Sequence, residues 1–117
     1  MGKRRRIPAG KSGATTPPGP DALANETLAV ILGSGRDDAD VQLRRLRQRH
    51  PDVDEALAAA VIARCLRAKD EGYAIVDRTL ALGESQPQAA GRILGAHPWM
   101  DLRNVETLCA QGFLAHR

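Results

Sequence analysis

Aromatic side chains are scarce in this sequence: Tyr73, Trp99 and Phe113 are all it has, 3% of the chain. That scarcity argues against a stacking platform for single-stranded nucleic acid, which needs several aromatic faces. It also leaves any core to Leu, Val, Ile and Ala, which suits packed helices. Cysteine occurs only at 65 and 109, each within an apolar helical pattern. Two buried free thiols in a reducing, cytoplasmic setting are expected. No apolar run approaches the roughly 18 residues of a membrane span, so no membrane partner is expected. Lysine is confined to positions 3, 11 and 69 against a large excess of arginine. That bias is the look of a GC-rich coding sequence, in which an arginine says less about chosen chemistry than usual. No strand-like alternation of useful length and no internal repeat stand out.

Catalytic patterns are missing as well. Ala9-Gly10-Lys11-Ser12 has the end of a phosphate-binding loop, but Arg5 stands where the pattern needs its first glycine. Gly33-Ser34-Gly35 lacks the third glycine of a dinucleotide site and reads as a helix stop. His50, His97 and His116 do not share zinc spacing with the cysteines. His50 and His97 each precede a proline at a helix end, where an imidazolium meets the negative end of the helix dipole. An enzyme is not expected, nor is a metal or a cofactor.

Charge, by contrast, is sharply segregated. The net charge is +3, yet residues 1–20 carry +5, from Lys3, Arg4, Arg5, Arg6 and Lys11, with no acid among them. Residues 21–117 hold twelve basic and fourteen acidic side chains, a balance of −2. Four of the seven prolines also fall in the first twenty residues. Residues 1–20 therefore read as a flexible basic Pro/Gly-rich arm, and 21–117 as a single helical domain.

The strongest helix is Asp52 to Lys69. Asp52 and Glu55 have capping-box spacing, and Leu57, Ala58, Val61, Ile62, Cys65 and Leu66 share one half of its circumference. Around it, Asp21–Leu32 reads as a first helix, stopped at Gly33. Asp37, Asp38 and Asp40 start a second, which Pro51 closes. Gly72 interrupts, and Tyr73, Val76 and Leu80 continue as a helix ending near Gly83. Gln88–Ala96 and Asp101–Gln111 complete the set. The expected fold is all-α, a compact bundle of five or six short helices.

The run from Gln88 to Arg117, QAAGRILGAHPWMDLRNVETLCAQGFLAHR, resembles the helix-turn-helix half of a winged-helix DNA-binding domain. Ala90, Ile93 and Leu94 match the short helix, Gly95 to Pro98 the turn, and Asp101 to Gln111 the recognition helix. Gly112 would stop that helix and Phe113-Leu114 would begin the wing strand. The resemblance implies base or groove contacts from Arg103, Asn104, Thr107 and Gln111, side-chain types suited to base edges. Lys3, Arg4, Arg5 and Arg6, with Arg44, Arg45, Arg47 and Arg49, would supply phosphate contacts. The expected function is a non-enzymatic nucleic-acid-binding protein, a small regulator or phage-type nucleoprotein accessory factor. Its rival is a protein–protein adaptor or inhibitor acting through a helical surface.

Overall fold

The structure is a computed structural model, and it describes residues 19–35 and 38–115. Five helices and no strand occur among them: α1 (Pro20–Ser34), α2 (Ala39–Arg49), α3 (Glu55–Ala81), α4 (Gln86–Ala96) and α5 (Leu102–Leu114). The chain is all-α, as its composition implies. Asp38 caps α2 by accepting from the backbone N–H groups of Asp40 and Val41, and Asp101 caps α5 by accepting from Asn104 N–H. These bonds satisfy donors that a helix start otherwise leaves unpaired. Asp37 lies outside the described residues.

Several boundaries differ from expectation. Helix α1 begins at Pro20, whose missing N–H is harmless there, and ends at Gly35, not Gly33; Gly35 adopts φ 67°. Helix α3 starts after Asp54, and Asp52 sits in the preceding turn. Val53 is buried there, which pulls the chain through one more residue before the helix begins.

Gly72 does not interrupt α3, which runs for 27 residues, about 40 Å at the usual helical rise. A Cβ on Gly72 would meet Leu108 at 2.7 Å, and one on Gly112 would meet Val76 at 2.9 Å. The two glycines are thus a reciprocal pair of holes. Leu108 of α5 drops onto Gly72 of α3, and Val76 of α3 onto Gly112 of α5. The order 72, 76 against 108, 112 makes the two helices run in the same sense at this seam. A mid-helix glycine costs roughly 1 kcal/mol relative to alanine, and close approach of α5 offsets it by burying Leu108 fully. Gly112 likewise does not stop α5. Phe113 and Leu114 continue the helix and form no strand.

Helix α3 packs against all four others, with α1 and α5 as its most extensive neighbours. The buried side chains form one continuous cluster in which Leu23, Leu28, Ile31, Leu46, Val76, Ile93, Val105 and Leu108 are fully enclosed.

The structure also reveals a repeat that reading along the sequence misses. Displaced by 47 positions, α2–turn–α3 matches α4–turn–α5. His50-Pro51 and His97-Pro98 coincide, as do the N-cap residues Asp54 and Asp101. His50 and His97 take nearly identical backbone angles, φ −134° ψ 74° and φ −133° ψ 71°. Val53 N–H donates to His50 O at 3.1 Å, and Met100 N–H to His97 O at 3.0 Å. Burial follows the same register: Leu46 with Ile93, Val53 with Met100, Ala58 with Val105, Val61 with Leu108 and Ile62 with Cys109 are all buried pairs. Each histidine also reaches a glutamate on the helix before its own: His50 Nε2 lies 2.7 Å from Glu26 of α1, and His97 Nε2 lies 2.9 Å from Glu71 of α3.

Candidate functional site

The residues expected to contact nucleic acid divide into three groups. Lys3, Arg4, Arg5 and Arg6 lie outside the described residues. On α2, Arg44 is exposed and Arg45 half-buried. Arg47 Nη1 pairs with Glu55 Oε1 at 3.3 Å, and Arg49 Nε with Glu26 Oε2 at 2.9 Å. On α5, Arg103 is exposed, and Thr107 Oγ1 donates to Arg103 O at 3.0 Å.

Asn104 and Gln111 point inward, contrary to their expected place on an exposed face. Asn104 is 2% exposed, and its amide donates to Asn25 O at 2.9 Å and to Asn25 Oδ1 at 3.2 Å. Asn25 in turn donates to Trp99 O at 2.9 Å and accepts from Asp101 N–H at 2.8 Å. This network ties α1 to the turn before α5. Gln111 donates to Leu32 O at 2.9 Å and accepts from Tyr73 O–H at 2.8 Å, joining α1, α3 and α5. Their amides satisfy backbone and phenol groups, which holds Asn104 buried and Gln111 half-buried. The α2 and α5 candidates do not form one face: each helix packs on α3, with no comparable contact between the two.

The structure instead points to two grooves at matching places in the two units. The α2–α3 groove, about 370 Å³, is lined by Asp40, Leu43, Arg44, Arg47, Gln48 and Glu55. The α4–α5 groove, about 550 Å³, is lined by Gln86, Pro87, Ala90, Gly91, Leu94, Leu102, Glu106 and Cys109. In the repeat register Asp40 matches Pro87, Leu43 matches Ala90, Arg44 matches Gly91, Arg47 matches Leu94 and Glu55 matches Leu102. Where the first groove holds charged side chains and an ion pair, the second offers small and aliphatic ones. A Cβ on Gly91 would meet nothing within 4 Å, and Leu102 is 58% exposed. Glu106 is the acid on its rim, without an ion pair among the described residues. By helical spacing Leu102 shares a side with Val105, Leu108 and Cys109, yet those three are buried and Leu102, in the first turn of α5, stays exposed at the groove.

Titration reflects these surroundings. Burial opposes ionisation of Glu26, but hydrogen bonds from His50 and Arg49 outweigh it and hold the carboxyl below its ordinary value. Burial pushes the Cys65 thiol up to about 12, and Cys65 Sγ donates to Ala24 O at 3.2 Å. Burial, then the nearby Glu106 charge, also raises Cys109. Neither thiol is poised as a nucleophile. No group of three or more His, Cys, Asp or Glu that could hold a metal ion occurs among the described residues, and no described helix is long and apolar enough to cross a membrane. No family model, curated protein or solved structure matches this chain.

Proposed function

We propose that the chain is a non-enzymatic docking module that takes a protein segment into the α4–α5 groove. The observation that carries this reading is the contrast between matching grooves. In the first unit, Arg44 and Arg47 line the groove and the Arg47–Glu55 pair lies across it. In the second, Gly91, Leu94 and Leu102 stand at those places and leave an apolar floor open. The missing material is an aliphatic chain beside a cation, which is the chemistry of the fitting segment. One buried aliphatic anchor is worth roughly 1.5–3 kcal/mol. A cation facing Glu106 adds at most about 1 kcal/mol and fixes orientation. An isolated segment should bind weakly, with Kd on the order of a millimolar or above.

Random twelve-residue peptides displayed on phage and selected on the full chain test this reading. Enriched peptides should place an aliphatic residue next to Lys or Arg, and Gly91→Phe should weaken them at least about tenfold by filling the groove. Enrichment indifferent to Gly91→Phe would sink it.

The segregated charge favours a second reading, nucleic-acid binding through the arm. Lys3 to Arg6 would contact phosphate, with Arg44, Arg45 and Arg103 among the exposed or half-exposed cations of the helical part. Titration of the full chain against random duplex DNA should then show a steep salt dependence that Arg4→Ala/Arg5→Ala/Arg6→Ala flattens. No binding at about 100 mM salt removes this reading.

A further inference from the structure

We infer that the exposed face of α3 pairs with the same face of a second copy of this chain, the two helices running antiparallel about a twofold axis midway between Arg67 and Asp70. This goes beyond the docking reading. None of the residues on that face lines the α4–α5 groove, so a pair carries two such grooves.

Helix α3 packs against all four other helices, yet one side of it stays exposed along its length. Ala56, Ala60, Ala63, Arg67, Asp70, Ala74, Asp77 and Ala81 are all exposed. They recur at alternating steps of four and three residues, the spacing of a seam that lies along a partner helix. A solvated helix face is ordinarily charged and polar, but five of these eight are alanine. Such short side chains let a second helix approach closely. In the repeat register Ala56, Ala60 and Ala63 match Arg103, Thr107 and Ala110 of α5. The alanine seam is therefore a property of α3 and not of the repeat.

Charge selects the occupant and its direction. At the middle of the seam, Arg67 and Asp70 have no ion pair among the described residues. Their order makes the seam complementary to itself when reversed. In an antiparallel pair Arg67 faces Asp70 of the second copy, and Asp70 faces Arg67 of the second copy. The same register sets Ala56 against Ala81, Ala63 against Ala74 and Ala60 against Asp77. Every contact then occurs twice, as a twofold interface requires. A parallel pair would set Arg67 against Arg67 and Asp70 against Asp70, and like charges brought together oppose association.

Size sets the strength. The seam is about 40 Å long and about 10 Å wide, a footprint of roughly 400 Å² on each copy. Stable complexes cover roughly 800 Å² per partner. The pair is therefore a weak and reversible one that forms as concentration rises, and salt that screens the central charges loosens it.

Sedimentation of the full chain over a concentration series tests this. The weight-average mass should rise from 12.6 kDa toward twice that value. Arg67→Asp puts an acid against Asp70 of the second copy, and Asp70→Arg puts a base against Arg67. Each should weaken pairing at least about tenfold. An equimolar mixture of the two variants should pair again, because each offers the charge that the other now needs. The doubly altered chain, Arg67→Asp/Asp70→Arg, should pair with itself. A mass that stays at 12.6 kDa up to about 1 mM would overturn the inference. Pairing that neither single variant weakens, or variants that stay apart when mixed, would overturn it as well. Gly91→Phe keeps this failure distinct from that of the docking reading. It should leave the mass unchanged, and pairing lost on Gly91→Phe would place the second copy in the α4–α5 groove instead.

Discussion

The α2–α3 and α4–α5 units turn the same corner with different materials. Each closes a helix on a His-Pro step, buries an apolar residue in the turn and starts the next helix after an aspartate. Beyond that corner they diverge wherever a side chain faces something other than its own unit. Cys65 of α3 meets Ala24 O of α1, while its counterpart Gly112 of α5 admits Val76 of α3. Leu57 is 38% exposed, while its counterpart Asn104 is buried against α1. The first groove carries charge and the second is apolar and open. Local backbone chemistry thus sets the corner, and the neighbour each unit meets sets the rest.

The seam offers the harshest way to break this comparison. Gly112→Cys puts into α5 the residue that α3 carries at the matching place. Val76 cannot yield easily, because a β-branched side chain in a helix is stiff. The substitution should cost about 1–3 kcal/mol, read as a lower urea midpoint at unchanged slope. Full stability would mean that the seam can open and that the glycine hole is incidental.

A second pair sharpens the contrast between matching positions. Asn104→Ala removes the amide that donates to Asn25 O and Oδ1 and should destabilise by about 1–3 kcal/mol. Leu57→Ala at the counterpart should cost under about 1 kcal/mol, since that side chain is already partly in water. Equal losses in parallel denaturation curves would show that the units treat this position alike.

The smallest effect belongs to the clamp on α1. Glu26 has a lowered folded pKa, so its interaction with His50 and Arg49 stabilises the fold above the ordinary carboxylate value of 4.5 and is lost as pH falls through the folded value. Glu26 is 41% exposed on its side chain, and solvent screening limits the gain to under about 1 kcal/mol. Glu26→Gln should lower stability near neutral pH and converge with the unaltered chain in acid. A difference that persists unchanged at low pH would assign the loss to packing instead of charge.

The helical class was legible because Ala58, Val61, Ile62 and Cys65 recur at helical spacing, and all four are buried. The starts at Asp38 and Asp101 were legible because capping is local chemistry. The uninterrupted run through Gly72 was not, since glycine breaks helices by propensity and only Leu108 from another helix explains its presence. Asn104 and Gln111 were misread for the same reason: their partners, Asn25 and Leu32, lie far away in sequence. The repeat escaped because His-Pro, the cap aspartate, Arg45 with Arg92 and Ala63 with Ala110 are the only identities across the aligned stretch from Asp40 to Cys65. Burial, more than residue type, is what the two units share.

Composition and periodicity alone therefore settle that this chain is helical, that its core is aliphatic and that its net positive charge lies in the first twenty residues. These follow from local propensity, side-chain volume and charge, which need no knowledge of neighbours. Helix packing decides which polar residues lie inside, which glycines are holes and which groove stays open. Each of those depends on what another helix places opposite, and no stretch of sequence records its own neighbour.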